Sequence, residues 1–236
     1  MCEREKDTTC RKGNSRTAGC QPAFVITHTS MTEEKDDLSR PKGWHDRGYL
    51  PHFDGGEIIQ FITFRLADSL PQNVVEGLKL KLERNLISEI EYHRKIDKYL
   101  DNGFGCGYLK DCRIAEVVEE NLHRFDGVRY KLFSWVIMPN HVHILLRPME
   151  NTLLSDIMHS MKSYTANRAN KVLNRTGKFW SAEYFDRYMR DYDHFEKTVA
   201  YIHGNPVKAG LCEKASDWRF SSAWIDMAGT QAASLP

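Results

Sequence analysis

The sequence predicts an α+β fold in which a central antiparallel sheet carries helices packed on it. Three observations predict it. The run Ile58 to Leu66 is dense in β-branched and aromatic residues, the composition of a buried strand. Two further strand-like runs, Tyr130 to Ile137 and His141 to Arg147, flank the turn Met138-Pro139-Asn140 and therefore pair antiparallel. Elsewhere apolar residues recur at three- and four-residue spacing, the period of a helix with one face on a sheet.

Taken in order, Met1 to about Lys42 is polar and charged, with one short apolar island at Ala23 to Ile26. It reads as a flexible leader, within which Met31 offers an alternative start. The turn signal Gly55-Gly56 introduces the first strand, and Pro71 opens a helix whose apolar face is Val74, Val75, Leu78, Leu82, Leu86 and Ile90. The glycine-rich stretch Asn102 to Gly107 reads as a loop or insertion before a second helix at roughly Ile114 to His123. After the strand pair, a helix from about Leu153 to Leu173 buries Leu154, Ile157, Met158, Met161 and Thr165, and Gly177 ends it. Asp191 caps the last helix, Phe195, Val199 and Ile202 form its inner stripe, and Pro206 stops it. The alternation of strand, helix, strand pair and helix suggests helices on one face of the sheet, a sandwich of the ferredoxin-like kind. One domain, residues 43–224, is expected, with 225–236 as a tail.

At 236 residues the chain can bury a full core. Its 33 Lys and Arg against 32 Asp and Glu give a formal net charge of +1, so any contact with a polyanion is local and not the work of a global basic field. No segment has the length of apolar sequence that a membrane span needs, and a cytoplasmic location is expected. The six cysteines, Cys2, Cys10, Cys20, Cys106, Cys112 and Cys212, form no CxxC pair and read as reduced thiols.

His141 and His143 are two apart on a strand, so both imidazoles project from one face, about 7 Å apart along the backbone. A bare HxH triplet is as often a pair of surface histidines as a metal site. Here it lies in the apolar run Trp135 to Arg147, where buried imidazoles need a specific partner, and one metal ion would satisfy both. Histidines alone suit zinc; a site completed by an amide oxygen and water suits Mg²⁺ or Mn²⁺ acting on phosphate. Further on, Tyr201 and Asn205 stand four apart and share one helix flank beside the apolar stripe. Taken alone, that pair is more readily a packing tyrosine followed by a helix-terminating Asn-Pro.

Two segments, Met138-Pro-Asn-His-Val-His143 and Tyr201-Ile-His-Gly-Asn-Pro-Val-Lys-Ala-Gly-Leu211, resemble the signature of the REP-associated tyrosine transposases, within the single-tyrosine HUH transposase superfamily. Supporting pieces are Gly43 to Asp54, Lys162-Ser-Tyr-Thr165, Phe179-Trp180 and Asp217 to Ser222, so the resemblance spans about Gly43 to Trp224. It implies an HUH sandwich whose C-terminal helix carries the nucleophile. His141 and His143 become metal ligands, Tyr201 the nucleophile and Asn205 a third ligand; Pro206 disfavours helical backbone at Asn205, which puts that ligand in doubt.

The activity implied is Mg²⁺- or Mn²⁺-dependent cleavage and rejoining of single-stranded DNA through a 5′-phosphotyrosine, at hairpins of repetitive palindromic type, by a monomer or a dimer. Lys178, Arg187 and Arg190 are candidate phosphate contacts, and Trp180, Tyr184 and Tyr188 candidate stacking platforms, although ordinary core aromatics beside a solvated charged face explain them equally well. Two other functions remain open: a hairpin-DNA-binding protein without strand transfer, and a metal-dependent phosphoesterase that has no use for Tyr201.

Overall fold

The computed structural model describes residues 43–46 and 51–224, all within the compact unit Asp37–Pro236. The expected leader and tail lie outside the described residues. Two short strands, β1 (Gly43–Asp46) and β2 (Pro51–Asp54), pair with each other. The main sheet has four antiparallel strands in the order β4-β5-β3-β6: β3 (Gln60–Leu66), β4 (Tyr130–Ile137), β5 (His141–Pro148) and β6 (Trp180–Tyr188). Of these, β6 is not legible as a strand in the sequence, because Ser181, Glu183 and Arg187 interrupt its apolar residues.

Alternation along the strands separates two cores. Ile62, Phe64 and Leu66 of β3 and Val142, Ile144 and Leu146 of β5 pack with α3 (Cys112–Arg124) and α4 (Leu154–Val172). Phe61 and Leu145 point the other way, onto Ile202, Val199 and Phe195 of α5 (Tyr192–Lys208). Helices therefore cover both faces of the sheet, which corrects the single-faced arrangement expected from the element order. The spacing of apolar residues fixes which side of a helix is buried, but not which face of the sheet receives it.

A one-residue irregularity in β4, between Leu132 and Ser134, shifts the alternation. Tyr130 and Leu132 before it, and Trp135 and Ile137 after it, consequently face the same core, where strict alternation would have split them. Residues 215–224 return along β4, with Ile137 N–H donating to the Phe220 carbonyl (2.8 Å) and Ser222 N–H to the Trp135 carbonyl (3.0 Å).

The helix expected to run from Pro71 past Ile90 is two helices, α1 (Gln72–Glu83) and α2 (Glu89–Asp101). Asn85 takes a positive φ of 54°, and Ser88 restarts the chain with a capping box: its hydroxyl accepts from Glu91 N–H while the Glu91 carboxylate accepts from Ser88 N–H. Leu86 and Ile90, placed on the apolar face by spacing, are exposed at this break. The second helix buries Tyr92, Ile96 and Leu100 against Val75 and Leu78 of the first.

Candidate functional site

The geometry of the site begins with β5. His141 and His143 share its α5-facing side and are 1% and 0% exposed, with their Nε2 atoms 3.0 Å apart. The Asn140 amide N–H₂ donates to the carbonyls of Leu100 and Phe104, both at 3.1 Å. Carbonyls only accept, so the Asn140 Oδ1 faces His141 Nδ1 at 2.7 Å and must accept a proton from it. This places the Nδ1–H tautomer on His141 and turns the lone pair of Nε2 inward. His143 Nδ1 is held by the Thr63 hydroxyl, at 2.7 Å on the neighbouring strand. Burial pushes the His141 imidazole down to about 3, with the Lys208 charge acting in the same direction. Burial likewise drives His143 well below its ordinary value, with His141 and Lys208 adding to it. Both rings are therefore neutral at neutral pH, the state a metal ligand requires.

The second half comes from α5. The side chain of Asp191 accepts from His194 N–H at 2.7 Å and caps the helix. Further along, Tyr201 lies against His143 with ring centroids 5.4 Å apart, and edge-on to Phe61 at 5.9 Å. The phenol is half-buried. The two constellations read separately in sequence thus converge on one side of the sheet. Contrary to expectation, Pro206 does not end the helix, which continues to Lys208 and keeps Asn205 helical, one turn beyond Tyr201. Asn205 is 1% exposed, and neither Oδ1 nor Nδ2 makes a hydrogen bond, a deficit of about 1–3 kcal/mol for a buried polar group.

These features fit a small divalent ion. Two inward-facing imidazole nitrogens 3.0 Å apart have the separation of adjacent ligands on an octahedral ion with bonds of about 2.1 Å. The buried amide of Asn205, lacking partners one turn beyond Tyr201, offers a further oxygen. Among the described residues, no group of three or more His, Cys, Asp or Glu side chains could hold a metal, so an ion held by the two histidines would need an amide and groups from water or substrate to complete its ligands. The thiols of Cys106, Cys112 and Cys212 are free, as expected.

One residue in contact with Tyr201 escapes a reading of the sequence. The Tyr201 hydroxyl donates to Asp97 Oδ2 of α2 at 3.2 Å. Burial, followed by the nearby Asp97 charge, drives the phenol well above its ordinary value; the Asn205 amide pulls the other way without reaching normal hydrogen-bond geometry. Lys208 Nζ sits 5.9 Å from the centre of the Tyr201 ring and is bonded to Asp101 at 2.6 Å. The sequence around Asp97, Glu-Tyr-His-Arg-Lys-Ile-Asp-Lys, looks like any charged helix surface. Its only signal is a position directly after the stripe residue Ile96.

Beside Tyr201 opens a cleft of about 520 Å³ lined by Arg94, Arg187, Arg190, Lys197, His93 and Phe185, among others. Arg187 and Arg190, expected to meet phosphates, both border it. Lys178 is exposed but is not among the lining residues. Trp180 is corrected: it is 6% exposed, its indole N–H donates to Thr165 at 2.9 Å and its ring packs on Phe64 at 4.8 Å, so it has no free face for a base. Tyr184 is likewise buried, against His52, whereas Tyr188 lines the cleft.

Residues 109–205 match the family model described as Transposase IS200 like. A REP-associated tyrosine transposase of Escherichia coli (strain K12) is 31% identical over 100 residues, 42% of this chain and 58% of that protein. A relative in Haemophilus influenzae is 27% identical over 101 residues, 39% of this chain and 57% of that protein. The chain spans just over half the length of the curated relatives it matches. A solved structure of a REP-associated tyrosine transposase bound to a REP hairpin aligns with a TM-score of 0.45 at 16% identity, covering 80% of this chain and 98% of that one. The family expected from the two motifs is the one these comparisons return.

Proposed function

We propose, from the premise that residues 109–205 match the IS200-like transposases, that this chain cleaves and rejoins single-stranded DNA through a phosphotyrosine on Tyr201. The observation that carries the reading is the meeting of two distant sequence signals: His141 and His143 on β5 and Tyr201 on α5, with 5.4 Å between the His143 and Tyr201 ring centres.

His141, His143 and Asn205 would hold the divalent ion, Mg²⁺ or Mn²⁺, and Asn140 and Thr63 fix the imidazoles so that Nε2 faces it. When bound, the ion supplies positive charge to the non-bridging oxygens of the scissile phosphate as the transition state forms. Tyr201 attacks phosphorus, the 3′ oxygen leaves, and the chain keeps the 5′ end as a phosphate ester. Because one ester replaces another, the bond energy is retained and a second 3′ hydroxyl can reverse the step. Phe61 and His143 hold the phenol from two sides, which lowers the entropic cost of in-line attack.

The substrate we infer is a single strand next to a small hairpin of repetitive palindromic type, consistent with the family motifs. Arg187, Arg190 and Arg94 around the cleft provide the local positive charge that a net charge of +1 does not provide globally. No helix among the described residues is long and apolar enough to cross a membrane.

The test is incubation with labelled single-stranded hairpin DNA and Mn²⁺ or Mg²⁺, followed by a denaturing gel. A protein-linked strand that disappears in Tyr201→Phe, with hairpin binding unchanged, supports the reading. Hairpin binding at saturation without any covalent product would leave a DNA-binding protein. Turnover of a small phosphate ester that survives Tyr201→Phe would make it a phosphoesterase.

A further inference from the structure

We propose that α2, which lies outside the matched segment 109–205, supplies Asp97 as the general base that takes the Tyr201 proton; the inference rests on the strand-transfer reading above. A phenol is a weak nucleophile until its proton leaves, and that proton needs an acceptor within hydrogen-bond reach. The two β5 imidazoles are unsuited, because their Nε2 lone pairs face each other and the ion site. Asp97 Oδ2 is 3.2 Å from the hydroxyl and accepts its hydrogen bond.

The surroundings suit the role. Lys208, whose Nζ lies over the phenol ring, is bonded to Asp101 one turn along α2, so Asp97 is not the carboxylate it neutralises. Burial raises Asp97 to about 6; the hydrogen bond from Tyr201 opposes this, Asp101 adds to it and Lys208 opposes it. His93, one turn earlier on α2, is held down to about 3 by burial, with the charges of Arg187 and His52 contributing, and so stays neutral. Arg94, Arg187, Arg190 and Lys197, together with the carboxylates of Glu89 and Asp186 and the imidazole of His194, line the adjoining cleft. Asp97 is therefore ionised at neutral pH yet more basic than an ordinary carboxylate.

The step balances. The Tyr201 O–H proton passes to Asp97 Oδ2 as the phenolic oxygen bonds to phosphorus, and the P–O3′ bond breaks with its electron pair on O3′, which takes a proton from solvent. In rejoining, an incoming 3′ hydroxyl attacks the phosphotyrosine and gives its proton to solvent, while the Asp97 carboxylic acid returns its own proton to the departing phenolate.

The test uses Asp97→Asn, which keeps an oxygen acceptor for the phenol but cannot take its proton, and Asp97→Glu as the conservative variant. Adduct formation on hairpin DNA is expected to fall about 10²-fold or more in Asp97→Asn, with hairpin affinity and melting temperature no lower than in the wild type, since the amide removes a negative charge from the cleft and a carboxylate that burial disfavours, and to recover in part in Asp97→Glu. The wild-type rate should rise with pH through about 6 and then level, a limb that Asp97→Asn lacks. Asp97→Asn reacting at the wild-type rate, or faster because the carboxylate restrains the phenol, would overturn the inference alone. A wild-type chain that forms no Tyr201-dependent adduct overturns this inference together with the reading beneath it.

Discussion

His143 and Tyr201 stand with ring centroids 5.4 Å apart at 62° between planes, one on a central strand and the other on the helix that covers it. The contact joins a ring whose free nitrogen is turned to His141 with a phenol whose hydroxyl is turned to Asp97. The proposed metal side and the proposed nucleophile side are thereby neighbours, and the behaviour of ion, DNA and variants should reflect that arrangement.

Added Mn²⁺ should stabilise the folded chain. At an ion concentration one hundred times the dissociation constant, the unfolding free energy should rise by about 2.7 kcal/mol. The quantity to compare is the shift on adding ion, measured by denaturant titration, since substituting buried histidines lowers the baseline by itself. The shift should vanish in His141→Ala/His143→Ala and shrink in Asn205→Ala; an undiminished shift in the double variant would place the ion elsewhere.

Trp180→Ala should behave as a core deletion. The substitution removes the ring packing on Phe64 and Phe179 together with the hydrogen bond to Thr165, at a cost of about 3–5 kcal/mol. Hairpin affinity per folded molecule should stay at the wild-type level. A stable Trp180→Ala chain with weakened DNA binding would restore a stacking role to this residue.

Arg187 and Arg190 differ from Trp180 in being exposed at the cleft. Replacing either with Ala should weaken DNA binding and reduce the slope of log affinity against log salt by about 1 for each phosphate left without its arginine. Lys178→Ala, away from the cleft lining, should leave that slope unchanged. Fluorescence anisotropy with a hairpin oligonucleotide at several salt concentrations measures all three.

Stability should also carry a pH signature from a pair that takes no part in the proposed chemistry, His52 and Asp186. Burial disfavours the His52 imidazolium, but the hydrogen bond and charge of Asp186, with Glu183 beyond, outweigh it and hold the group above its ordinary 6.5. The folded chain thus binds this proton more tightly than the unfolded chain. The stabilisation is complete below about pH 6.5 and disappears as pH rises through the folded value. His52→Ala, which leaves Asp186 buried without its imidazolium, should cost about 3 kcal/mol at pH 6 and progressively less toward pH 9. A deficit that grows with pH would contradict the assignment.

Much of the site is legible in the sequence, and what is not has physical causes. The strand pair around Pro139 and the cap at Asp191 are visible because turn and cap chemistry are local. His141, His143, Tyr201 and Asn205 stand out through the resemblance of their two segments to the transposase motifs, while two-residue spacing on a strand and four-residue spacing on a helix place each pair on one face. Asp97 does not, since its place at the site arises only when the fold brings α2 within side-chain reach of Tyr201 and Lys208 on α5. The break at Asn85 that makes α2 a separate helix is hidden within an unbroken helical period from Val74 to Ile90. Pro206 misleads in the opposite direction: a proline ends most helices, but this one continues to Lys208.

The most direct test of the central claim is peptide mapping of the covalent product. After reaction with hairpin DNA and Mn²⁺, nuclease trimming and protease digestion, mass spectrometry should find the residual nucleotide on the peptide containing Tyr201, linked through its phenolic oxygen, and none when His141 and His143 are replaced. A nucleotide on any other side chain, or on Tyr201 undiminished without the two histidines, would contradict it.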